Sequence, residues 1–180
     1  MQVTSRPHHD HGGVITAIRL TATYGLFVIV LIAAIAWLRS RRVDKVAMAT
    51  TFVFAAVIGG GLLLASAMIW DDPRPFAVDG VAPLLPHAPD NGFPSDHTIA
   101  ASLVAGVVLA FHRRVGILLL GVALCVGAAR VATHVHHISD VVGGLLIGLA
   151  AAALGTVLAR FALNAAKRTP ATAGGPRASR

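Results

Sequence analysis

The sequence predicts an all-α protein, a polytopic membrane bundle of about five helices. Of its 180 residues 56% are hydrophobic and only 13% are charged, and the apolar residues fall into long uncharged runs. Ordinary soluble domains carry roughly 25% charged residues, so this composition speaks against a water-soluble globule. A helix needs about 20 apolar residues to cross a hydrocarbon core of roughly 30 Å. Residues 20–38 supply the first such run and residues 46–70 the second, the latter ending at Trp70, an aromatic suited to a membrane interface. Residues 141–159 make another clear run. Between them, residues 98–111 and 115–129 reach span length only if their helices continue through His97 and Arg130 respectively.

The charges orient this bundle. Fifteen Lys and Arg face eight Asp, with no Glu, and the net charge of +7 by itself suggests a nucleic-acid binder. Their positions point elsewhere. Arg39, Arg41, Arg42 and Lys45 follow the first run, Arg113 and Arg114 separate the third and fourth, and Arg160, Lys167, Arg168, Arg177 and Arg180 follow the last. Basic residues in short loops collect on the cytoplasmic side, so these eleven put the N-terminus outside and the C-terminus inside. No nucleic-acid partner is expected. A signal peptide in place of the first span is disfavoured, because arginines follow it rather than a small-residue cleavage site. Cys125 is the single cysteine and lies in an apolar run, which excludes a disulfide framework.

This gives a mobile N-terminal tail over residues 1–13, a transmembrane domain over residues 14–165, and a disordered basic tail over residues 166–180. His8, His9, Asp10 and His11 in the first tail could bind a transition metal adventitiously; a mobile tail is the preferred reading. Gly59, Gly60 and Gly61, with Gly144 and Gly148, would permit close helix contact.

Unusual polar residues collect in the two segments assigned to the outer face. Arg74-Pro75 follows the second run, Pro94-Ser95-Asp96-His97 opens the third, and Arg130, His136 and Asp140 bracket the junction of the fourth and fifth. Two arginines in one loop layer could grip a tetrahedral anion from two sides; the alternatives are snorkelling, or pairing of Arg74 with Asp71 or Asp72. Ser95 and Asp96 are good N-cap residues, and the first turn of a helix is an anion site. His136 and Asp140 stand four apart, so on one helix face the carboxylate would take one imidazole nitrogen and leave the other as base or nucleophile. His134, His136 and His137 also invite a zinc reading. Arg74 and Arg130 in the same layer argue against a cation, and no metal is expected.

These residues resemble the type 2 phosphatidic acid phosphatase superfamily, whose signature is Lys, six residues, Arg-Pro; then Pro-Ser-Gly-His; then Ser-Arg, five residues, His, three residues, Asp. Here the pattern reads Arg74-Pro75, Pro94-Ser95-Asp96-His97, and Arg130, five residues, His136, three residues, Asp140. Ala67, Asp96 and Ala129 stand where the signature has Lys, Gly and Ser. Pro73 to Phe76, the stretch Pro86-His87-Ala88, and Phe93 to Thr98 look like the bacitracin-resistance-type undecaprenyl-diphosphate phosphatases, although His137 and Ile138 replace that branch's aromatic and proline.

The resemblance implies a membrane lipid phosphatase that hydrolyses a polyprenyl diphosphate, undecaprenyl diphosphate, held in the bilayer to the monophosphate at the extracytoplasmic face. Arg74, Ser95, Asp96 and Arg130 would form the phosphate-binding set. His136, oriented by Asp140, would form a phosphohistidine while His97 protonates the leaving oxygen, and no cofactor is required. Phosphatidic acid, phosphatidylglycerol phosphate and polyprenyl-phosphosugar phosphates remain alternative substrates. A small transporter, the rival from another class, should carry its ionisable groups near mid-membrane rather than at helix ends.

Overall fold

A computed structural model describes residues 11–168, so His8, His9 and Asp10 and the tail from residue 169 onward lie outside the described residues. The chain forms α1 (His11–Arg39), α2 (Arg42–Ile69), the single-turn-and-a-half α3 (Pro75–Asp79), α4 (Asp96–Phe111), α5 (Arg113–Ala132) and α6 (Ile138–Arg168). The first tail expected from sequence therefore gives its last residues to α1, and the second its first residues to α6. Four of the helices, α1, α2, α5 and α6, are long and apolar enough to cross a membrane. The two short runs extend through the polar residues as expected, α5 past Arg130 and α4 back past His97. Even so α4 has 16 residues, about 24 Å at 1.5 Å per residue, short of a full hydrocarbon core.

Its packing explains why a short helix suffices at that place. α4 touches α1, α2, α5 and α6, and Ala101, Ala105 and Val108 join one apolar cluster while Leu103 and Val107 join another. A helix surrounded by protein meets its neighbours rather than lipid at its polar ends. The core is rich in alanine, though Ile29, Leu119 and Val126 are also fully buried, and many large side chains face outward. Ala55, Ala101, Ala105, Ala123, Ala151 and Ala152 are buried, whereas Phe27, Val57, Met68, Leu146 and Phe161 face outward. That inversion of a soluble protein's pattern suits lipid, where helices associate by close backbone approach and not by hiding large apolar groups.

α6 shows the close approach directly. A Cβ at Gly148 would run into the Ser102 hydroxyl and lie 2.5 Å from the Ile99 carbonyl, and one at Gly155 would lie 2.7 Å from the Ala55 nitrogen on α2. Gly59 likewise faces Leu103, but a Cβ at Gly60 or Gly61 would meet nothing within 4 Å. Of the glycines singled out in the second run, one is a packing contact and two are open.

Antiparallel succession of the helices gathers the basic turns at one end, where the Ser40 hydroxyl meets His112 Nε2 at 2.7 Å and the Trp37 indole donates to the Lys45 carbonyl at 3.0 Å. The opposite end receives the end of α2, α3 with its flanking loop, the start of α4, the end of α5 and the start of α6. All the polar motifs lie there.

Candidate active site

Asn91 ties the long loop to the end of α2. Its side-chain oxygen accepts from the N–H groups of Asp72 at 3.0 Å and Phe93 at 2.9 Å, and its Nδ2 donates to the carbonyls of Trp70 at 2.9 Å and Ala67 at 3.3 Å. The Gly92 N–H adds a bond to the Asp72 carbonyl at 2.8 Å. A Cβ at Gly92 would sit 3.0 Å from both that carbonyl and Asp140 Oδ2, so the loop passes the head of α6 at a distance that leaves little room for any side chain. This clamp delivers Arg74, buried in spite of its charge.

On the other side α5 ends and the chain turns through residues 133–137 before α6. His134 takes a left-handed φ of 63°, and its Nε2 meets Asp79 Oδ2 at 2.8 Å. The turn is closed by the N–H of Val135 on the Arg130 carbonyl at 3.3 Å. His136 consequently sits in the turn and not on α6, which begins at Ile138. Its pairing with Asp140 survives the change, Nδ1 standing 3.3 Å from Oδ2. The same oxygen accepts the His137 N–H at 2.8 Å, so the first turn of α6 positions the carboxylate.

The other nitrogen of His136 faces two cations. Arg74 Nη1 lies 3.3 Å and Arg130 Nη2 3.5 Å from Nε2. Guanidinium groups only donate and a carboxylate only accepts, so the proton sits on Nδ1 and the lone pair on Nε2. Burial, ahead of the two nearby arginines, lowers the His136 pKa below its ordinary value and keeps the ring neutral. A neutral, oriented imidazole with its lone pair aimed at two arginines has the parts needed for attack on a bound phosphoryl group.

Each arginine is held by the loop as well. Arg74 Nε donates to Asp90 Oδ1 at 2.7 Å and Nη1 to the Val135 carbonyl at 2.9 Å; Asp71 and Asp72, the partners considered from sequence, do not take it. Arg130 Nη2 donates to His87 Nε2 at 2.8 Å, while its buried Nε has no hydrogen-bond partner. His87 also lies edge-on to His136, ring centroids 6.3 Å apart. Burial and then Arg74 and Arg130 lower the His87 pKa, which leaves it neutral and able to accept; the bond from Arg74 lowers that of Asp90.

The second motif joins less directly. Ser95 is the N-terminal flanking residue of α4 but makes no side-chain cap; its hydroxyl accepts from Thr98 at 3.0 Å and its N–H donates to the Asp140 carbonyl at 3.1 Å. Asp96 turns to its neighbour, accepting the His97 N–H at 2.7 Å and standing 2.9 Å from His97 Nδ1. One of the outward N–H groups expected at this helix start is thereby taken. Among the described residues no hydrogen bond joins His97 to His136. The structure thus brings Arg74, Arg130, His136 and Asp140 into direct contact, sets Ser95 beside them, and leaves Asp96 and His97 paired at the rim.

The three-histidine cluster does not converge. His134 goes to Asp79 and His136 to the arginines and Asp140, whereas His137 Nδ1 stands 3.5 Å from Asp72 Oδ1. Sequence reasoning passed over His87, Asp90, Asn91 and Gly92. The sequence offers the stretch around His87 only as part of a family resemblance, and Asp90-Asn91-Gly92 is a turn-forming tripeptide whose placement between two arginine motifs is the available signal.

The PAP2 superfamily matches residues 49–163, which include every one of these site residues. The chain is 30% identical over 143 residues to the Bacillus subtilis (strain 168) undecaprenyl-diphosphatase BcrC, covering 77% of this chain and 72% of that one. It is 33% identical over 132 residues to the Bacillus licheniformis bacitracin transport permease protein BcrC, covering 73% of this chain and 64% of the relative, so it spans under two thirds of that protein. Among solved structures, Aquifex aeolicus LpxE superposes with a TM-score of 0.67 at 22% identity over 81% of this chain and 86% of its own, a likeness of fold. The first transmembrane PAP2-type phosphatidylglycerolphosphate phosphatase from Bacillus subtilis does so with 0.54 at 26% identity, over 92% and 81%. With its two arginines, histidine and aspartate gathered at one end of a matching helical bundle, the chain belongs to the PAP2 superfamily.

Proposed function

We propose that this protein is a membrane lipid phosphatase that hydrolyses a polyprenyl diphosphate, undecaprenyl diphosphate in particular, to the monophosphate. The observation that carries this reading is the His136 ring held between Asp140 on Nδ1 and Arg74 and Arg130 on Nε2. The name of the Bacillus subtilis relative supports the substrate class.

In the mechanism the terminal phosphoryl oxygens are taken by Arg74 and Arg130, whose unpaired Nε offers a further donor, with Ser95 and Asp96 completing the binding loop. His136 Nε2 attacks the terminal phosphorus, and the bond from that phosphorus to the bridging oxygen breaks. The lipid monophosphate leaves, its oxygen protonated by His97. Water then attacks the phosphohistidine and gives its proton to His97, which releases inorganic phosphate and restores the free imidazole. Fixed donors at the developing charge supply the largest share of the acceleration.

In the membrane, α4 serves as the fifth span, the N-terminus and the site face outward, and the C-terminus lies in the cytoplasm, following the gathering of basic turns at the other end. The lipid tail then stays among the helices while its headgroup meets the site. A second reading, phosphatidylglycerol phosphate as substrate, draws on the structural relative that acts on it. Transport is named for the Bacillus licheniformis relative; here the buried charged groups lie at helix ends rather than at mid-span.

Purified protein should release phosphate from undecaprenyl diphosphate faster than from phosphatidylglycerol phosphate or phosphatidic acid. His136→Ala should abolish release. Equal turnover by wild type and variant would overturn the nucleophile, and no release from any lipid would overturn the phosphatase.

A further inference from the structure

Behind His136, on the side away from the arginines, the charge changes sign. Asp72, His137 and Asp140 each offer one ligand atom, and these atoms lie within 4.8 Å of one another. Asp72 comes from the loop clamped by Asn91, His137 from the turn that precedes α6, and Asp140 from the first turn of α6. The objection that Arg74 and Arg130 would repel a cation applies to the Nε2 face of His136; this group is gathered about Asp140, which holds the Nδ1 face.

Two features of the group ask for a positive ligand. Asp140 is fully buried, and while its Oδ2 is engaged by His136 and His137, its Oδ1 has no hydrogen-bond partner. His137 Nδ1 is likewise buried without one, since its approach to Asp72 at 3.5 Å makes no hydrogen bond. While both are ionised, two carboxylates only accept and cannot satisfy each other. The side chains of His137 and Asp72 are 39% and 24% exposed, so an ion has a path from solvent.

We propose that Asp72, His137 and Asp140 form a site for a divalent transition-metal cation, distinct from the phosphate site, and that its occupation inhibits hydrolysis. One imidazole and two carboxylates with water completing the shell suit zinc and similar borderline ions. A cation on the spare oxygen of Asp140 withdraws charge from the carboxylate that orients His136, so the imidazolium character that develops during catalysis is less well supported. Binding stands on the geometry alone; inhibition rests on the phosphatase reading.

The test is calorimetric titration of zinc chloride into tag-free protein in detergent, in a background where His8, His9 and His11 are alanine so that the N-terminal histidines do not contribute. One zinc per chain is expected, with affinity reduced at least about tenfold in both Asp72→Asn and His137→Ala. Neither substitution removes the His137 backbone N–H that holds Asp140. Phosphate release should be inhibited by zinc in the parent and resistant in His137→Ala, whose metal-free rate should match the parent's. No zinc uptake by the parent, which would indicate that the two carboxylates share a proton instead, overturns the proposal. So does equal uptake by both variants. If no lipid is hydrolysed, the phosphatase reading falls while the titration still judges the site.

Discussion

In the proposed mechanism His136 works through two nitrogens held by opposite charges, and the prediction for its removal follows from both. His136→Ala deletes the attacking atom, so phosphate release should drop by at least about three orders of magnitude, as when the nucleophile of a catalytic unit is deleted. His87 should show a graded effect. His87→Ala strands the Arg130 Nη2 donor that it now satisfies at 2.8 Å, and the loss of a hydrogen bond to a charged group, about 1.5 to 3 kcal/mol, corresponds to roughly a tenfold or greater fall in kcat/KM. His87→Gln, which keeps an acceptor, should recover part of it in the same assay. The titration of His87 adds a stability prediction. Its folded pKa lies below the ordinary 6.5, through burial and then the arginines, so as pH falls the unfolded chain takes up the proton first. The stability it contributes is complete well above 6.5 and is lost as pH descends through that value toward the folded pKa. The melting temperature of the detergent-solubilised protein should fall from about pH 7.5 to about pH 5.5, and fall less in His87→Gln. Residues like Arg130 and His136 were legible in the sequence because charge inside an apolar run is costly and His136 and Asp140 carry a helical spacing. His87 and Asp90 were not, because a loop has no periodicity to say where its side chains point.

For the helices, legibility followed hydropathy. The runs located all five long helices, yet α1 and α6 extend well beyond their uncharged stretches, since Arg19 and Arg160 continue a helix without being apolar. α3 was missed altogether. It is five residues begun by a proline at its first position, too short for any periodic signal. Nor could sequence rank the glycines, because which helix faces which is a tertiary fact. The structure ranks them, and the ranking can be measured. Gly148→Ala places a methyl group against the Ser102 hydroxyl and the Ile99 carbonyl, and overpacking of this kind costs about 1 to 3 kcal/mol. Gly60→Ala adds a methyl group to open space on α2 and gains helix propensity of up to about 1 kcal/mol. Thermal unfolding in detergent should therefore move down for the first and stay level or rise for the second; the same shift in both would contradict the assigned packing of α6 on α4.

Over the whole molecule, the proposed orientation makes Arg113 cytoplasmic and the loop near Ala82 external. With Cys125→Ser as the background, a cysteine at Ala82 should react with a membrane-impermeant maleimide in intact cells, and one at Arg113 only after permeabilisation. The reverse pattern would invert the topology, and labelling of both in intact cells would remove α4 from the set of spans. The site itself joins segments far apart in the chain. Arg74 reaches the Val135 carbonyl across a sequence separation of 61 residues, and its loop neighbour Gly92 is pressed against Asp140. During synthesis Arg74 therefore emerges well ahead of Arg130, His136 and Asp140. A nascent chain stopped before α6 has no Asp140 to hold His136 Nδ1, so under the proposed mechanism hydrolysis begins only once the last helix has been inserted and has completed the bundle.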